Sequence, residues 1–425
     1  MIDAALQAGT AHRRSVFELF ARRLSGARRY GVVAGTGRLL EALERFRFGD
    51  DELGFLREQR VVSDAAIDWL ADYRFSGDIW GYPEGEVFFP GSPIITVESS
   101  FAEGVLLETI ALSIFNYDCA VATAASRMSH AAQGKPLAEM GSRRTNEWSA
   151  AVAARAAYIA GFGATSNLEA GRRYGIPTMG TAAHSFTLLH DSEREAFEAQ
   201  VATLGPGTTL LVDTYDIEQG VRTAVEVAGT ELGAVRIDSG DLPVVVAQVR
   251  ELLDSLGAVE TRITVTNDLD EHTVAALASS PVDSFGVGTS VVTGSGTPAM
   301  GMVYKLVAHQ NAAGEWVSVA KKSADKASVG GRKSVRRLYD ARGIARTELC
   351  FLGDGPGGEP EGEALGARAR EVPVPLVLAG ETQPGHTGRD GIEAAKDRHR
   401  RAVAELPPVA MSLTRGDPAI PTEYR

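Results

Sequence analysis

The middle of the chain alternates short apolar stretches with helical stretches, and no other feature constrains the fold as strongly. Seven apolar stretches are predicted strands: 136–140, 158–161, 177–180, 209–213, 234–238, 262–266 and 283–287. The predicted helices between them are 147–157, 167–174, 191–204, 218–227, 243–256 and 271–279. Strands that alternate with helices form parallel sheets with crossover helices. Seven units of unequal length favour an irregular β/α barrel, with an open doubly wound sheet as the alternative.

Both flanks of this region mix strands and helices. Before it, we predict a strand at 15–22, a helix at 37–46, short strands within the Gly- and Pro-punctuated stretch 81–99, and a long apolar core helix at 106–128. After it, we predict strands at 302–309 and 316–322, a flexible linker at 353–363 and an amphipathic helix at 392–406. The long apolar helix is expected to join two domains.

Composition limits the class of protein. With 425 residues, the chain is long enough for two or three domains. Its 44% hydrophobic and 23% charged residues are typical of a soluble globular protein. The net charge of -12 argues against a general nucleic-acid binder, although it leaves room for a local basic pocket. Two cysteines, Cys119 and Cys350, are too few for a disulfide framework.

The same features predict a cytoplasmic protein without membrane contact. Both cysteines lie in apolar stretches, which suits a reducing compartment. The sequence contains no apolar run that we expect to span a bilayer. Its first residues lack the apolar core of a signal peptide.

Polar residues and glycines follow nearly every predicted strand at its carboxyl end, where parallel barrels collect their chemistry. They include Glu139, Thr165, Ser166, Thr181, Asp213, Asp216, Asn267, Asp268 and Gly286. Some residues at such positions are helix N-caps, and we predict this role for Asn167 and Asp191. Capping does not account for four other side chains, which are Arg143, Arg144, His184 and Arg236. The strand ends are therefore predicted to form a ligand site.

The Gly-Val-Gly-Thr turn after the last strand suits a phosphate group. Gly286 and Gly288 expose backbone N–H groups, Thr289 adds a hydroxyl donor, and a following helix N-terminus would favour negative charge. Guanidinium groups bind carboxylate and phosphate in bidentate fashion, so the three arginines suit a substrate with several anionic groups. Asp238 and Asp241 could orient substrate hydroxyls or Mg²⁺-bound waters. The alternative is that they form salt bridges to the arginines.

His184 follows a run of small residues, Gly-Thr-Ala-Ala, that begins at residue 180. Small side chains let the backbone come close to a ligand. A histidine placed there can act as an acid, a base or a nucleophile. The alternative is a hydrogen-bonded core histidine beside a tight turn, but the neighbouring polar clusters favour the functional interpretation.

Six segments together resemble the nicotinate phosphoribosyltransferase family. They are Tyr-Gly-Val-Val-Ala-Gly at 30–35, Glu-Met-Gly-Ser-Arg-Arg-Thr at 139–145, Gly-Ala-Thr-Ser-Asn at 163–167, the run 180–186, Arg-Ile-Asp-Ser-Gly-Asp-Leu at 236–242 and Gly-Val-Gly-Thr at 286–289. Each segment is modest alone, but their order and spacing are specific and cover nearly the whole chain. The resemblance implies an irregular α/β barrel at 116–298 and an α/β sandwich domain built from 1–115 and 299–425.

The resemblance also implies a reaction. Nicotinate and phosphoribosyl pyrophosphate would give nicotinate mononucleotide and pyrophosphate, in NAD salvage, coupled to ATP hydrolysis through a transient phosphohistidine. His184 matches the phosphorylated histidine of the family, and Thr181 matches a residue that contacts nicotinate. Arg236 matches the arginine that meets the nicotinate carboxylate. Thr289 matches the residue that binds the 5-phosphate of the donor.

Further expectations follow from the same resemblance. Arg143 and Arg144 would help hold the donor or nicotinate, and Mg²⁺ would be held mainly by substrate phosphates. A homodimer is expected. Family members usually begin with a Thr-Asp-x-Tyr-x-x-Thr-Met segment, whose tyrosine stacks on nicotinate across the dimer. This chain begins where that segment should end, so we expect weak activity that added upstream residues would restore.

Two other functions stay open at this point. A quinolinate-type phosphoribosyltransferase without ATP coupling should lack the histidine run, and an aldolase would need a lysine at a strand end, where none is predicted. A catalytically weak or non-catalytic relative is favoured only by the absent N-terminal segment.

A basic loop is predicted as a solvated face, with a contact to phosphates of ATP or the donor as the alternative. Its residues are Lys321, Lys322, Lys326, Arg332 and Lys333.

Overall fold

The computed structural model describes residues 1–321, 328–353, 355–358 and 368–425. The chain folds into two compact units, of which one combines the chain ends, 1–123 and 299–425, and the other is 124–298. Two predictions fall partly outside the described residues: Lys322 and Lys326 of the basic loop, and residues 354 and 359–363 of the linker.

The N-terminal part contains five helices and five strands. The helices are α1 (Ile2–Gln7), α2 (Thr36–Arg45), α3 (Asp50–Glu58), α4 (Asp64–Ala71) and α5 (Phe101–Ala131). The strands are β1 (Arg14–Ala21), β2 (Gly31–Val32), β3 (Asp78–Gly81), β4 (Val87–Phe88) and β5 (Ile95–Ser100). The predicted first strand, first amphipathic helix and short strands of this part are confirmed.

Helix α5 is longer than the predicted core helix. By length and composition alone it is apolar enough to cross a membrane, which corrects the expectation that no apolar run is long enough. About 50% of its most apolar window is buried inside the protein, and Phe115, Cys119 and Met128 are buried residues of this helix. One such helix is weak evidence for a membrane span, because the core helix of a soluble protein passes the same test.

The middle part contains six strands and eight α-helices, with a short 3₁₀ helix at Ser142–Arg144. The strands are β6 (Leu137–Glu139), β7 (Ala164–Thr165), β8 (Thr209–Leu211), β9 (Ala234–Ile237), β10 (Arg262–Val265) and β11 (Ser284–Val287). The helices are α6 (Glu147–Ile159), α7 (Leu168–Tyr174), α8 (His184–Leu189), α9 (Glu193–Leu204), α10 (Ile217–Ala228), α11 (Leu242–Ser255), α12 (Glu271–Leu277) and α13 (Thr289–Val292).

The six middle strands form one sheet in the order β7-β6-β11-β10-β9-β8. Every neighbouring pair is parallel, and a further parallel bridge joins Thr165 of β7 to Thr178. Helices follow the strands, as parallel connections require. The sheet is thus a parallel half-barrel, which confirms the predicted β/α barrel class.

Three local predictions in this unit are wrong. The stretch 158–161 is not a strand, because the Ala-rich helix α6 continues to Ile159 and ends before Gly161, whose φ is 109°. The stretch 177–180 forms only the single bridge at Thr178. Ser192, and not Asp191, caps α9 by accepting a hydrogen bond from the Glu195 N–H. Asn167 caps α7 as predicted.

The C-terminal part contains the remaining described elements. The strands are β12 (Met302–Gln310), β13 (Trp316–Ser318), β14 (Lys333–Tyr339), β15 (Ala345–Leu352), β16 (Ala369–Glu371), β17 (Val374–Leu378), β18 (Glu381–Thr382) and β19 (Thr422–Tyr424). Helix α14 (Gly388–Ala404) and a 3₁₀ helix (Pro408–Met411) accompany them. The predicted strand at 316–322 is therefore shorter than expected.

The two chain ends share one seven-stranded sheet, of order β13-β12-β1-β5-β3-β17-β18. Strand β1 pairs antiparallel with β5 on one side and with β12 on the other. A four-stranded sheet, β16-β14-β15-β19, belongs to the same unit. Its core draws Phe17, Tyr304 and Leu376 from both ends of the chain. This confirms the predicted α/β sandwich built from both chain ends.

A buried ion-pair network holds this sandwich unit together. The fully buried Arg337 lies 2.6 Å from Glu86 and 2.8 Å from Glu348. Arg370 reaches the other oxygen of Glu86 at 2.8 Å. Burial alone would raise the pKa of Glu86, but the charges of Arg337 and Arg370 outweigh it and lower the pKa to about 2. The network joins the N-terminal Glu86 to side chains of the C-terminal part.

Candidate active site

A cavity of about 520 Å³ opens at the carboxyl ends of the parallel strands. Its walls are the segments that follow β6, β9, β10 and β11, together with the 180–183 run. Parallel barrels bind their ligands at this end of the sheet. The predicted site residues that line the cavity are Arg143, Arg144, Thr181, Arg236, Asp238, Gly286, Gly288 and Thr289.

Arg236, on β9, is held in place by partners on three sides. Its Nε donates to Thr266 Oγ1 at 2.9 Å and its Nη1 donates to Thr181 Oγ1 at 2.7 Å. Its Nη2 lies 3.1 Å from Asp238 Oδ1, and only 13% of the side chain is exposed. These contacts fix the guanidinium group before any ligand arrives, so it is preorganised to bind a carboxylate.

Asp238 lines the cavity as an ionised carboxylate. Its Oδ1 accepts a hydrogen bond from the Thr266 hydroxyl and forms the ion pair with Arg236. Burial alone would raise its pKa, but the Thr266 hydrogen bond and the Arg236 charge outweigh burial and hold the pKa below its ordinary value. Asp238 therefore forms the salt bridge to an arginine that the sequence analysis gave as the alternative to a ligand-binding role.

His184 is the first residue of α8 and is paired with a buried carboxylate. Its Nε2 lies 3.0 Å from Asp213 Oδ1, and its side chain is 41% exposed while that of Asp213 is 0% exposed. The other oxygen of Asp213 accepts from the Asp238 N–H at 2.8 Å and from the Ser239 hydroxyl at 2.7 Å. Asp213 thus connects His184, which is outside the cavity lining, to the Asp238 segment that lines it.

Glu139 organises the strand ends beneath the arginine turn. The side chain is fully buried; one oxygen accepts from the Gly141 N–H and the other accepts from the Thr165 hydroxyl at 2.6 Å. Burial raises the pKa of Glu139, against the effect of these two hydrogen bonds. This carboxyl group fixes the start of the 3₁₀ helix that carries the two cavity arginines.

Arg143 and Arg144 sit on that 3₁₀ helix with exposed side chains that line the cavity. Neither makes an ion pair within the part of the chain that the structure describes. Below them, Asn167 Nδ2 donates to Ser142 Oγ at 3.0 Å, which ties the turn to the start of α7. Two unpaired guanidinium groups at the mouth of the cavity suit an anionic ligand.

The glycine turn after β11 is packed too tightly for larger residues. A Cβ on Gly286 would lie 2.6 Å from Met140 Sδ and 2.7 Å from Thr266 Cγ2. Gly288 occupies the N-cap position of α13, and Thr289 begins that helix. Gly286, Gly288 and Thr289 all line the cavity, which is the position that a phosphate site at this segment requires.

Asp241 does not line this cavity. It is exposed at the N-cap position of α11 and its side chain makes no capping hydrogen bond. Among the described residues, no group of three or more His, Cys, Asp or Glu side chains could hold a metal ion. Asp238 and the exposed Asp268 line the cavity. These donors fit a Mg²⁺ ion that substrate phosphates carry in, and not a site built from protein ligands.

Two residues near the site, Thr266 and Glu193, were not among its predicted members, whereas Asp213 was predicted as a strand-end residue. Glu193, the first residue of α9, has a buried carboxylate oxygen without a hydrogen-bond partner among the described residues. Burial, with the charges of Asp213 and Asp216, raises its pKa to about 7. No local motif marks Glu193, because its neighbours come from distant segments.

Known proteins match this chain along almost its whole length. The nicotinate phosphoribosyltransferase (NAPRTase) N-terminal domain matches residues 1–116, and the nicotinate phosphoribosyltransferase (NAPRTase) family matches 136–349. Nicotinate phosphoribosyltransferase pncB1 of Mycobacterium tuberculosis is 54% identical over 430 residues, which cover 99% of this chain and 92% of that protein.

Two solved structures share the fold. Human nicotinic acid phosphoribosyltransferase superposes with a TM-score of 0.81 at 25% identity. The match covers 99% of this chain and 95% of the human chain. Nicotinate-nucleotide pyrophosphorylase from Pyrococcus furiosus superposes with a TM-score of 0.77 at 20% identity, over 95% of this chain and 92% of its own, a likeness of fold alone. The matched residues, the identity and the shared fold confirm the family predicted from the six motifs, and the chain belongs to the nicotinate phosphoribosyltransferase family.

Proposed function

We propose that this chain is an enzyme that joins nicotinate to phosphoribosyl pyrophosphate, forming nicotinate mononucleotide and pyrophosphate, with ATP consumed through a phosphohistidine at His184. The observation that carries the proposal is the arrangement at the strand ends. The guanidinium of Arg236 and the turn at Thr289 line one cavity of about 520 Å³, and Asp213 connects that cavity to His184. The space accommodates a nucleotide-sized molecule.

Arg236 and Thr181 would hold the nicotinate. The carboxylate of nicotinate would accept two hydrogen bonds from the fixed guanidinium, in the geometry that favours arginine over lysine. The Nη1 bond to Thr181 and the Nε bond to Thr266 leave the guanidinium little freedom. Nicotinamide lacks the negative charge, so it would form no ion pair with the largely buried Arg236.

The glycine turn and the arginine turn would hold the donor. Thr289 and the N–H groups near Gly288 would bind the 5-phosphate, while Arg143 and Arg144 would attract the pyrophosphate. Pyrophosphate leaves the anomeric carbon with the bonding electron pair as the pyridine nitrogen forms the new C–N bond. Because the sugar becomes cation-like, alignment and preorganised charge supply most of the acceleration. Mg²⁺ would neutralise the leaving pyrophosphate, and Asp238 and Asp268 would contact its waters.

His184 would accept the γ-phosphoryl group of ATP through Nδ1. Asp213 accepts a hydrogen bond from Nε2, which favours the tautomer with hydrogen on Nε2 and a free lone pair on Nδ1. Nδ1 would attack the γ-phosphorus, the bond to the β,γ-bridging oxygen would break, and ADP would leave. Asp213 would stabilise the positive charge that develops on the ring, as paired carboxylates do for other catalytic histidines.

We also propose a homodimer in the cytoplasm. The exposed hydrophobic side chains around the strand ends support a partner surface, since Trp148 and Leu168 are 73% and 75% exposed and Leu189 is 79% exposed. The prediction that the basic loop is a solvated face is wrong for Lys333 and does not describe Arg332, because both are paired with carboxylates. Lys333 is buried against Glu18 at 2.9 Å and Arg332 pairs with Glu98 at 3.0 Å.

Labelling with [γ-³²P]ATP tests this proposal. The wild-type chain should gain acid-labile, base-stable phosphate and should form nicotinate mononucleotide. His184→Ala should take up no label, while the control His190→Ala, at the C-terminal end of the same helix, should label like the wild type. Turnover of quinolinate without labelling would establish the quinolinate-type alternative, and neither labelling nor turnover would establish a non-catalytic relative.

A further inference from the structure

A second cavity, of about 540 Å³, lies wholly within the sandwich unit. Helix α14 forms one wall, and strands β16 and β17 form another. It holds no residue of the site described above. Its polar wall contains Arg398 and Arg401, which face it from α14.

The guanidinium groups of Arg398 and Arg401 have no carboxylate partner in the described residues. Arg398 donates to the Glu84 carbonyl at 2.6 Å, and Arg401 donates to the Asp397 carbonyl at 3.4 Å. The two residues are three positions apart on α14, so their side chains lie on the same helix face. Like charges at this spacing repel, and an anion between them would remove the repulsion.

The lining holds equal numbers of guanidinium and carboxylate groups, which are Arg370, Arg398, Arg401, Glu86, Glu371 and Glu405. Arg370 is compensated by Glu86 at 2.8 Å and Glu405 at 3.0 Å. Glu371 lines the cavity and accepts a hydrogen bond from the Gly357 N–H at 3.1 Å. Among the described residues, Arg398 and Arg401 therefore make no ion pair with a carboxylate, and Glu371 makes none with a cation. Burial lowers the pKa of Arg398, since its charge is incompletely compensated.

The rest of the wall is apolar. Pro83, Val372, Val374, Pro375 and Pro384 line the cavity beside these polar groups. Proline rings and valine side chains offer a flat surface to an apolar ring. A small organic molecule with an oxyanion headgroup and an apolar body matches both parts of the wall.

We propose that this cavity binds a small organic oxyanion, a phosphate monoester or a carboxylate with an apolar body, through Arg398 and Arg401. The headgroup accepts hydrogen bonds from the two guanidinium groups, and the body packs on the proline-rich wall. This site is separate from the strand-end cavity and gives the sandwich unit a ligand of its own.

Ligand-detected NMR titration with two probes tests the proposal on the full chain. Phenyl phosphate and benzoate carry the two candidate headgroups on the same ring, so their relative affinities identify the headgroup. Both probes can also bind the strand-end cavity; Arg236→Gln weakens benzoate there, and only the loss caused by the Arg398 and Arg401 substitutions is assigned to the sandwich cavity. We expect a binding component that survives Arg236→Gln and that weakens roughly tenfold or more in the double variant Arg398→Gln, Arg401→Gln.

Arg400→Gln is the matched control. Arg400 lies on the same helix, is 79% exposed and pairs with Asp397 at 3.1 Å, and it does not line the cavity. This variant should bind both probes like the wild type. Arg401→Gln alone provides a test even if the double variant fails to fold, because Arg401 is exposed. We expect this single variant to bind the probes at least about threefold more weakly than the wild type. Loss of all binding in Arg236→Gln, or wild-type binding in the Arg398 and Arg401 variants, overturns the proposal.

Discussion

At the scale of single residues, the most consequential contact is that between His184 and Asp213. The carboxylate is fully buried and makes three hydrogen bonds, one to the imidazole and two to the Asp238 segment. A carboxylate with every oxygen engaged cannot turn away from the ring, so the tautomer of His184 is set by the fold.

Asp213→Asn should therefore slow phosphorylation of His184. An amide can present its NH₂ group to Nε2, which favours the wrong tautomer and removes the negative charge. We expect the rate of labelling by [γ-³²P]ATP to fall roughly a hundredfold. The control is Asp216→Asn, because Asp216 caps α10 and asparagine caps equally well. Equal labelling rates in wild type and Asp213→Asn would contradict the assigned role.

Glu193 should make stability depend on pH. Its folded-state pKa, about 7 against an ordinary value of 4.5, means that the folded protein keeps a proton that the unfolded chain has released. The protonated Glu193 therefore contributes to the unfolding free energy at low pH, and this contribution is lost as the pH rises from about 4.5 to 7. Glu193→Gln avoids that loss, so its melting temperature should exceed that of the wild type at pH 8 and converge with it near pH 5.

Glu198→Gln is the control for this measurement, because Glu198 is an exposed residue of the same helix. Its melting temperature should follow that of the wild type at both pH values. A pH-independent difference between Glu193→Gln and the wild type would show that the carboxylate does not titrate in this range.

At the scale of elements, two turns pack against each other under the cavity. Gly141 precedes the arginine-bearing 3₁₀ helix, and a Cβ there would lie 2.7 Å from the Gly288 carbonyl oxygen and would also contact Val292. The two turns can approach this closely only because neither has a side chain at the contact. The proposed donor site therefore depends on the close approach of these two backbone segments.

Gly141→Ala should force these turns apart. We expect a loss of about 1–3 kcal/mol in unfolding free energy from the overpacking, measured as a lower melting temperature. Gly180→Ala is the control, because a Cβ on Gly180 meets nothing within 4 Å. Equal melting temperatures for the two variants would contradict the close packing of the turns.

Sequence patterns predicted most helices and strands, because the spacing of apolar residues in each segment matches the face that the element buries. They failed at 158–161, where helix and strand signals overlap and only the left-handed Gly161 shows that α6 has ended. Arg236 and Thr289 could be predicted because strand-end positions converge in any parallel barrel. Glu193 could not, since its raised pKa depends on Asp213 and Asp216 from another segment, and long-range proximity leaves no local trace.

At the scale of the whole molecule, the sandwich unit depends on charges contributed by both chain ends. Arg337→Ala would leave the buried Glu348 without its cationic partner and Glu86 with Arg370 alone, so we expect a loss of about 3–5 kcal/mol in unfolding free energy. The measurement is urea unfolding monitored by tryptophan fluorescence, in which Trp69, Trp80 and Trp316 report on this unit.

Arg346→Ala provides the comparison for this prediction. Arg346 is 53% exposed and pairs with Asp340 at 2.7 Å, so its loss should cost no more than about 1 kcal/mol. If both variants unfold at the same urea concentration as the wild type, the buried ion-pair network contributes nothing to the stability of the sandwich unit.

The position of β1 between β5 and β12 also determines the order in which the protein can assemble. A ribosome delivers β5 soon after β1, but it delivers β12 only after the entire half-barrel has been synthesised. During that interval the nascent chain carries an unpaired strand edge, the kind of surface that templates aggregation or exchange between chains. The sandwich can therefore close only once synthesis has passed the half-barrel.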